Sequence, residues 1–167
     1  MALQRIGVVG CGLMGAGIAQ VVAAAGFHTR ICEVAQAPLD RGLARIHDGY
    51  ARSLKKGTMT QSDVDAAVSR LSPTLNRVDL ADCDIVIEAI AENLTLKQNL
   101  FTELDSICAP HTLLVSNTSS IPIHQLAQAT SRPDRVAGFH FFNPVPLMQL
   151  IELVSTPFTS AETRTLL

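Results

Sequence analysis

The sequence predicts an α/β fold in which helices cover both faces of one doubly wound, mostly parallel β-sheet. Two observations favour this class: short apolar runs alternate with helical patterns along nearly the whole chain, and a glycine-rich turn joins the first run to the first helix. A strand buried on both faces shows as a continuous apolar run, and strands separated by helices pair in parallel through crossovers. With 167 residues, 47% of them apolar, the chain has the length and composition of one folded domain.

Local patterns define each element in turn. Apolar runs predict six strands, at residues 6–9, 28–32, 84–87, 112–115, 135–139 and 147–154. Helical patterns predict helices at residues 13–25, 38–56, 62–71, 95–107 and 160–167. Gly26 and Gly57 are typical of helix ends, and Ser62 followed by Asp65 is typical of a capping box that begins a helix.

Composition excludes several classes of function. Thirteen lysines and arginines against fifteen acidic residues give a net charge of −2, without the basic excess of a nucleic-acid or membrane-surface protein. Aromatic residues make up 4% of the chain, too few for a base-stacking platform. No stretch approaches the roughly 20 apolar residues of a membrane span, and the apolar run near the N-terminus is too short for a secretory signal. We therefore expect no nucleic-acid partner, no membrane association and a cytoplasmic location.

The four cysteines show no spacing typical of a metal or redox site. Cys11, Cys32, Cys83 and Cys108 are far apart in the sequence and form no C-x-x-C pair. They are expected to be small core residues in a reducing compartment, and no metal site is predicted.

A glycine-rich turn follows the first predicted strand and opens the first predicted helix. Gly10 would allow a tight turn, Gly12 would let a pyrophosphate approach the backbone, and Gly15 would let the helix pack closely on the strand. The N-terminus of that helix offers free N–H groups and a partial positive charge to phosphates. The glycines can instead serve tight packing alone, but their place between strand and helix favours a dinucleotide site. The residues assigned to this site are Gly10, Gly12, Leu13, Met14 and Gly15.

Glu33 ends the second predicted strand, where a dinucleotide-binding fold places an acid near the adenosine ribose. Its carboxylate can accept hydrogen bonds from both ribose hydroxyls and would repel the 2′-phosphate of NADP(H). The residues that follow, 34–36, offer no cation in its place. The sequence therefore predicts NAD(H) rather than NADP(H) as the cofactor.

A histidine and a glutamate in the last third of the chain form a candidate acid–base pair. His140 follows the fifth predicted strand, and Glu152 lies within the apolar run 147–154. An ionised carboxylate inside an apolar strand is costly unless it is paired, and His140 is the obvious partner. Such a pair holds the imidazole in one tautomer and suits a general base. Taken singly, each residue is more often structural, and their joint position at strand ends is what favours catalysis.

Small hydroxyl and amide side chains follow the fourth predicted strand, in residues 116–120. They can hydrogen-bond a substrate oxygen at the same edge of the sheet, or they can cap the following helix. Ser120, just ahead of Pro122, is expected to serve as such a cap.

Four segments of the chain together resemble the NAD-binding domain of the L-3-hydroxyacyl-CoA dehydrogenases, which include the 3-hydroxybutyryl-CoA dehydrogenases. They are GCGLMG at residues 10–15, EAIAENL at 88–94, SNTSS at 116–120 and GFHFFNPVP at 138–146. The most specific is the His-Phe-Phe-Asn-Pro string, which is followed by a glutamate twelve residues after its histidine. The resemblance covers essentially the whole chain and implies a Rossmann-type fold.

The resemblance implies NAD-dependent oxidation of (S)-3-hydroxyacyl-CoA to 3-oxoacyl-CoA, in fatty-acid or related acyl-CoA metabolism. By position, His140 is similar to the family's general base, Glu152 to its orienting partner, and Ser119 to the hydroxyl that binds the reacting oxygen. The residues at the family's cofactor contacts are Glu33, Glu92, Lys97, Ser119 and Asn143, and those at its coenzyme A contacts are Ser53 and Lys56. Lys97 can instead be a solvated helix residue, and Lys56 an ordinary basic helix end favoured by the helix dipole.

Members of that family continue into an all-helical domain that covers the cleft, forms a homodimer and supplies a further catalytic asparagine. No such domain is contained in these 167 residues. We therefore expect residues 1–167 to be an NAD-binding domain truncated before that part, which binds NAD(H) and turns over poorly by itself.

Two other functions remain open. A β-hydroxyacid dehydrogenase has a similar glycine turn but relies on a lysine in a later helical part, and it would not reduce a CoA thioester. A non-catalytic NAD(H)-binding module would have kept only the fold, and replacement of His140 would then change nothing measurable.

Overall fold

The computed structural model describes residues 3–167, which form a seven-stranded sheet between helices. The strands are β1 (Arg5–Val9), β2 (His28–Cys32), β3 (Leu71–Thr74), β4 (Ile85–Glu88), β5 (Leu113–Ser116), β6 (Val136–Phe141) and β7 (Ile151–Val154). The helices are α1 (Leu13–Ala24), α2 (Gln36–Lys55), α3 (Gln61–Ser69), α4 (Leu94–Ile107), α5 (Ile123–Ala127) and α6 (Ala161–Leu166). Two 3₁₀ turns, at Arg77–Leu80 and Pro133–Arg135, precede β4 and β6.

The sheet is wound in both directions from its centre. Its strand order is β3-β2-β1-β4-β5-β6-β7, and every neighbouring pair is parallel except β6 and β7. The order reverses between β1 and β4, and a fold of this kind binds ligands in the crevice outside the carboxyl ends of those strands. The predicted doubly wound, mostly parallel α/β fold is confirmed.

Helices bury both faces of the sheet. On one face, the core contains Ile18 of α1 with Ile46 and Tyr50 of α2. On the other face, Phe101 of α4 and Leu126 of α5 pack in a second cluster. Over residues 3–167, no helix is both long enough and apolar enough to cross a membrane.

All four cysteines are free and buried, as the sequence predicts. Burial raises the pKa of the thiols of Cys11, Cys32 and Cys108 to about 11. Burial raises the pKa of the Cys83 thiol to about 12. These thiols therefore remain protonated near neutral pH and behave as small core groups.

The sequence prediction is wrong in two respects near residue 71. It omits the edge strand β3, and it extends the preceding helix to residue 71, whereas α3 ends at Ser69. Leu71 pairs with Thr29 of β2, and the central residues Ser72 and Pro73 are exposed. An edge strand is buried on neither face as fully as a central one, so it lacks the apolar run by which strands are predicted. Proline is tolerated there because one side of an edge strand needs no ladder hydrogen bond.

The capping box of α3 lies two residues earlier than predicted. Thr60 is the N-cap: its hydroxyl accepts from the Asp63 N–H at 3.2 Å, and the Asp63 carboxylate accepts from the Thr60 N–H at 2.8 Å. Asp65 accepts instead from the Gln61 side chain at 2.7 Å. The predicted pair of Ser62 and Asp65 is therefore wrong, because the Thr60 and Asp63 pair satisfies the same Thr-x-x-Asp rule two residues upstream.

The last strand is shorter than the predicted run 147–154 and runs antiparallel to β6. The Pro144 carbonyl accepts from the N–H groups of Leu147 and Met148 at 2.9 and 3.1 Å, so a turn takes up the first part of the run. All four residues of β7 are exposed. The other predicted strands and helices agree with the structure within two residues at each end.

Candidate active site

Two adjoining clefts open at the edge of the sheet where the parallel strands end. The first cleft, of about 500 Å³, lies between the glycine turn, Glu33 and α4. The second cleft, of about 350 Å³, is lined by His140 and Ser119 among others. Ala89 and Ile90, directly after β4, line both clefts, so the two meet at the switch point of the sheet.

The glycine turn has the shape that a pyrophosphate site requires. Gly10 has a φ of +94°, and a Cβ atom at Gly15 would lie 1.8 Å from the Gly10 carbonyl oxygen, so both positions need glycine. A Cβ atom at Gly12 would meet nothing within 4 Å, so the backbone there faces open space. No side chain caps α1, which leaves its first-turn N–H groups to a ligand. The predicted turn therefore fits a dinucleotide, with Met14 reaching the second cleft.

Glu33 lies directly beside this turn. Its carboxylate accepts hydrogen bonds from the Cys11 N–H at 2.8 Å and from the Val34 N–H at 2.9 Å. These bonds hold the carboxylate in the lining of the first cleft, where it can accept from ribose hydroxyls.

A cation does face this cleft, although residues 34–36 supply none. Arg77, from the 3₁₀ turn after β3, lines the first cleft together with Glu33 and forms an ion pair with Glu103 of α4. The sequence pattern does not indicate Arg77 because it does not predict β3, the strand that brings this residue to the end of β2.

His140 and Glu152 occupy directly opposed positions on β6 and β7. His140 Nδ1 lies 2.9 Å from Glu152 Oε2, and the imidazole ring packs against the Phe142 ring at 4.7 Å between centroids. With Nδ1 engaged, Nε2 is the ring nitrogen left for a ligand in the second cleft. The predicted pairing is present, but its stated reason is wrong: the Glu152 side chain is 55% exposed, so burial does not impose the partner.

The segment after β5 holds Glu92 rather than capping a helix. The hydroxyls of Thr118 and Ser120 both donate to Glu92 Oε1, the latter at 2.8 Å. The N-cap of α5 is Pro122, without a side-chain hydrogen bond, so the predicted capping role of Ser120 is wrong. Ser119 is exposed and lines the second cleft with His140, where its hydroxyl can meet a substrate oxygen.

Lys97 is buried in a network of charges, so the alternative of a solvated helix residue is excluded. Its side chain is 1% exposed, and its Nζ lies 2.5 Å from Glu88 Oε1 and 3.1 Å from Glu92 Oε2. Partial burial raises the pKa of Glu92, but hydrogen bonds from Thr118, Ser120 and Lys97 outweigh it and hold the pKa below its ordinary value. Glu92 and Lys97 are thus fixed as a charged pair at the second cleft.

Glu88 is a buried partner of the site residue Lys97 that the sequence analysis missed. It ends β4, is fully buried, and accepts from Lys97 Nζ, from the Ser116 hydroxyl at 2.5 Å and from the Ile90 N–H at 2.7 Å. The sequence contains a signal for this residue, because Glu88 ends the apolar run Ile85–Glu88 and an ionised carboxylate is costly to bury unless it is paired.

A third cleft, of about 280 Å³, lies between α1, α2 and the segment after β6, and one of the remaining predicted residues lines it. Asn143 lines both the second and the third cleft. Ser53 lies on α2, where its hydroxyl donates to the Gly49 carbonyl at 3.3 Å, and Lys56 is the C-cap of that helix. Neither is among the residues that line the three clefts, whereas Arg45 and Arg52 of the same helix line the third.

Comparison with known proteins decides the family. Residues 5–166 match the family described as 3-hydroxyacyl-CoA dehydrogenase, NAD binding domain. The chain belongs to this family. The resemblance found in the four sequence segments is thereby confirmed, and so is NAD as the cofactor of this dehydrogenase domain.

Named relatives of this 3-hydroxyacyl-CoA dehydrogenase domain are similar over nearly all of it. The probable 3-hydroxybutyryl-CoA dehydrogenase of Bacillus subtilis (strain 168) is 46% identical over 163 residues, which are 98% of this chain and 57% of the relative. The mitochondrial hydroxyacyl-coenzyme A dehydrogenase of Rattus norvegicus is 42% identical over 168 residues, covering 96% of this chain and 53% of the relative. The crystal structure of (S)-3-hydroxybutyryl-CoA dehydrogenase from Ralstonia eutropha matches with a TM-score of 0.96 at 40% identity, covering 98% of this chain and 58% of that one.

The dehydrogenase domain described by residues 3–167 is thus little more than half as long as these relatives, spanning 57% of one and 53% of another. The activity of the whole protein, and the role of each residue in it, are therefore matters for proposal.

Proposed function

We propose that the protein oxidises (S)-3-hydroxyacyl-CoA to 3-oxoacyl-CoA with NAD⁺ as the hydride acceptor. The observation that carries this proposal is the His140–Glu152 pair, whose Nδ1 and Oε2 atoms lie 2.9 Å apart. His140 lines the same cleft as Met14 of the glycine turn, so a base and the start of the cofactor-binding helix face one space. The names of the relatives, 3-hydroxybutyryl-CoA dehydrogenases among them, support the substrate class.

Residues of this chain would hold the cofactor along both clefts. The glycine turn and the N-terminus of α1 would receive the pyrophosphate, and Glu33 the adenosine ribose. Glu92, Lys97 and Asn143 line the second cleft and would contact the nicotinamide end. When bound, NAD⁺ supplies the electrophilic ring that accepts hydride.

His140 then takes the proton of the 3-hydroxyl group at Nε2 while its Nδ1–H donates to Glu152. The carboxylate fixes the tautomer and stabilises the imidazolium that forms. The Ser119 hydroxyl would donate to the C3 oxygen and keep it beside the imidazole. On α2, Ser53 and Lys56 would contact the coenzyme A moiety outside the second cleft.

The part of the relatives beyond the matched region would complete the enzyme. We propose that residues 1–167 are the NAD-binding domain of a longer, two-domain protein whose other, helical domain covers the second cleft and forms a homodimer. A cytoplasmic location and a role in fatty-acid or related acyl-CoA metabolism belong to the same proposal.

The decisive experiment is the substitution His140→Ala in the complete protein. Loss of the general base should lower the rate of acetoacetyl-CoA reduction by about 10²–10⁴-fold, with little change in NADH affinity. The matched control is His124→Ala, because His124 is exposed on α5 and is not among the cleft residues. If the two variants turned over equally, His140 would have no part in the mechanism. Reduction of free 3-oxo acids in place of CoA thioesters would contradict the substrate class.

A further inference from the structure

An ion pair between two elements distant in sequence faces the first cleft. Arg77 Nη1, at the start of the 3₁₀ turn after β3, pairs with Glu103 Oε2 of α4. The two side chains are 32% and 41% exposed, and both line the cleft with Glu33. The pair is therefore open to a ligand in the cleft and is part of its wall.

The pairing of β2 with β3 brings Arg77 close to Glu33. Cys32 lies opposite Thr74, and the Glu33 N–H donates to the Thr74 carbonyl at 3.1 Å. Thr74 precedes Arg77 by three residues in the sequence. Burial is the main cause that raises the pKa of Cys32 to about 11, and the charges of Arg77, Glu33, Asp79 and Glu103 also act on that thiol. These charged groups thus lie around the carboxyl end of β2, and Asp79 is not among the residues that line the first cleft.

The charges of the cleft wall are unequal. Of the residues within 3–167 that line the first cleft, Arg77 is the one cation, and Glu33 and Glu103 are the two acids. A dinucleotide site that accepts a 2′-phosphate uses a guanidinium near the ribose, because its planar fork binds phosphate through two hydrogen bonds. Arg77 is the group in this cleft wall that could do so, and Glu103 occupies it.

We propose that Glu103 is a specificity-determining residue that excludes NADP(H) by holding Arg77. The site then rejects a 2′-phosphate in two ways: Glu33 repels it directly, and Glu103 keeps the guanidinium engaged and its charge balanced. This inference rests on the proposed binding of NAD(H) in the first cleft and extends it to the choice between the two cofactors.

The test measures NADH and NADPH dissociation constants by fluorescence titration. In a Glu33→Ser background, adding Glu103→Gln should tighten NADPH binding about tenfold or more, the scale of one freed charge-assisted hydrogen bond. NADH affinity should change less than NADPH affinity. Adding Arg77→Ala to the double variant should abolish the gain. The matched control is Glu162→Gln, because Glu162 of α6 pairs with Arg135 and does not line the cleft.

Each contrary result has a distinct meaning. Unchanged NADPH affinity after Glu103→Gln would overturn the proposal. A gain that persists with Arg77→Ala would also overturn it, because removal of negative charge alone would then explain the effect. Equal weakening of NADH and NADPH by Arg77→Ala would assign the guanidinium to the shared adenosine instead. Failure of the unsubstituted protein to bind NADH would refute the proposed cofactor site itself.

Discussion

The Glu88 carboxylate lies fully inside the protein and is held by three donors: Lys97 Nζ, the Ser116 hydroxyl and the Ile90 N–H. A buried ion pair adds little net stability when complete, but removal of one partner leaves an uncompensated charge. This arrangement connects the end of β4 to α4 directly beneath the crevice.

We therefore expect Glu88→Ala to lower the free energy of unfolding by about 3–5 kcal/mol, because the Lys97 ammonium would remain buried with one acid fewer. Urea denaturation at pH 7 measures this change. The control is Glu162→Ala, which removes an exposed ion pair with Arg135 and should cost less than about 1 kcal/mol. If the two variants lost the same free energy of unfolding, burial of the Glu88–Lys97 pair would not be the cause of the destabilisation.

Two glycines of the turn offer a matched test at the same scale. In Gly15→Ala the new Cβ atom would lie 1.8 Å from a backbone oxygen, so the turn must shift and the protein should lose about 1–3 kcal/mol. Gly12→Ala meets no atom within 4 Å and has a φ of −68° that alanine adopts, so its stability should stay close to that of the original protein. Its methyl group would still obstruct a pyrophosphate. Urea unfolding with NADH titration separates the effects, and normal NADH binding by Gly12→Ala would contradict the assigned site.

At the scale of elements, Asp105 fastens α4 to the segment that leads into β6. Its carboxylate accepts from the Ser131 N–H at 2.7 Å and from Arg132 Nε at 2.6 Å. Partial burial raises the pKa of Asp105, but the hydrogen bonds from Ser131 and Arg132 and the charge of Arg132 outweigh it, so the pKa lies below its ordinary value of 3.8. The folded state therefore prefers the ionised carboxylate.

A depressed carboxyl pKa contributes stability above its unfolded value and loses it as the pH falls through the folded value. We expect Asp105→Asn to be less stable than the original protein at pH 7 and to lose less stability on acidification below pH 3.8. Urea midpoints measured from pH 7 downward test this. Asp40→Asn, at an exposed position of α2, should change stability by less than about 0.5 kcal/mol. If Asp105→Asn and the original protein lost the same amount of stability on acidification, protonation of Asp105 would not be a cause of the acid destabilisation.

At the scale of the whole molecule, binding and turnover are expected to separate. The first and second clefts, where we propose that NAD(H) binds, are formed within residues 3–167, whereas the curated relatives are nearly twice as long as the matched region. We expect the 167-residue chain to bind NADH and yet to reduce acetoacetyl-CoA far more slowly than the complete protein, because nothing else would exclude water or fix the acyl group. A titration of NADH beside a steady-state assay of both proteins tests this. Equal turnover would contradict it.

Local sequence patterns account for most of the central architecture. The runs that became β1, β4 and β5 are buried along nearly their whole length, so each is a continuous apolar segment. The glycine turn follows from short-range sterics, since Gly15 must clear an oxygen five residues earlier. His140 and Glu152 can be paired from sequence because both lie on the last two apolar runs, although exposure of Glu152 shows that burial was the wrong reason.

The sequence by itself determined the fold class, the glycine turn and the acid at the end of β2, because each depends on residues within one strand, turn or helix end. It also indicated the histidine–glutamate pair, because the two residues belong to consecutive apolar runs that become neighbouring strands. Only the tertiary structure decided that Lys97 is buried against Glu88 and that Arg77 lines the same cleft as Glu33. The physical reason is that the burial of a charge depends on which other elements pack around it. Contacts of this kind join residues far apart in the sequence, 26 residues for Arg77 and Glu103, so no periodic sequence pattern indicates them.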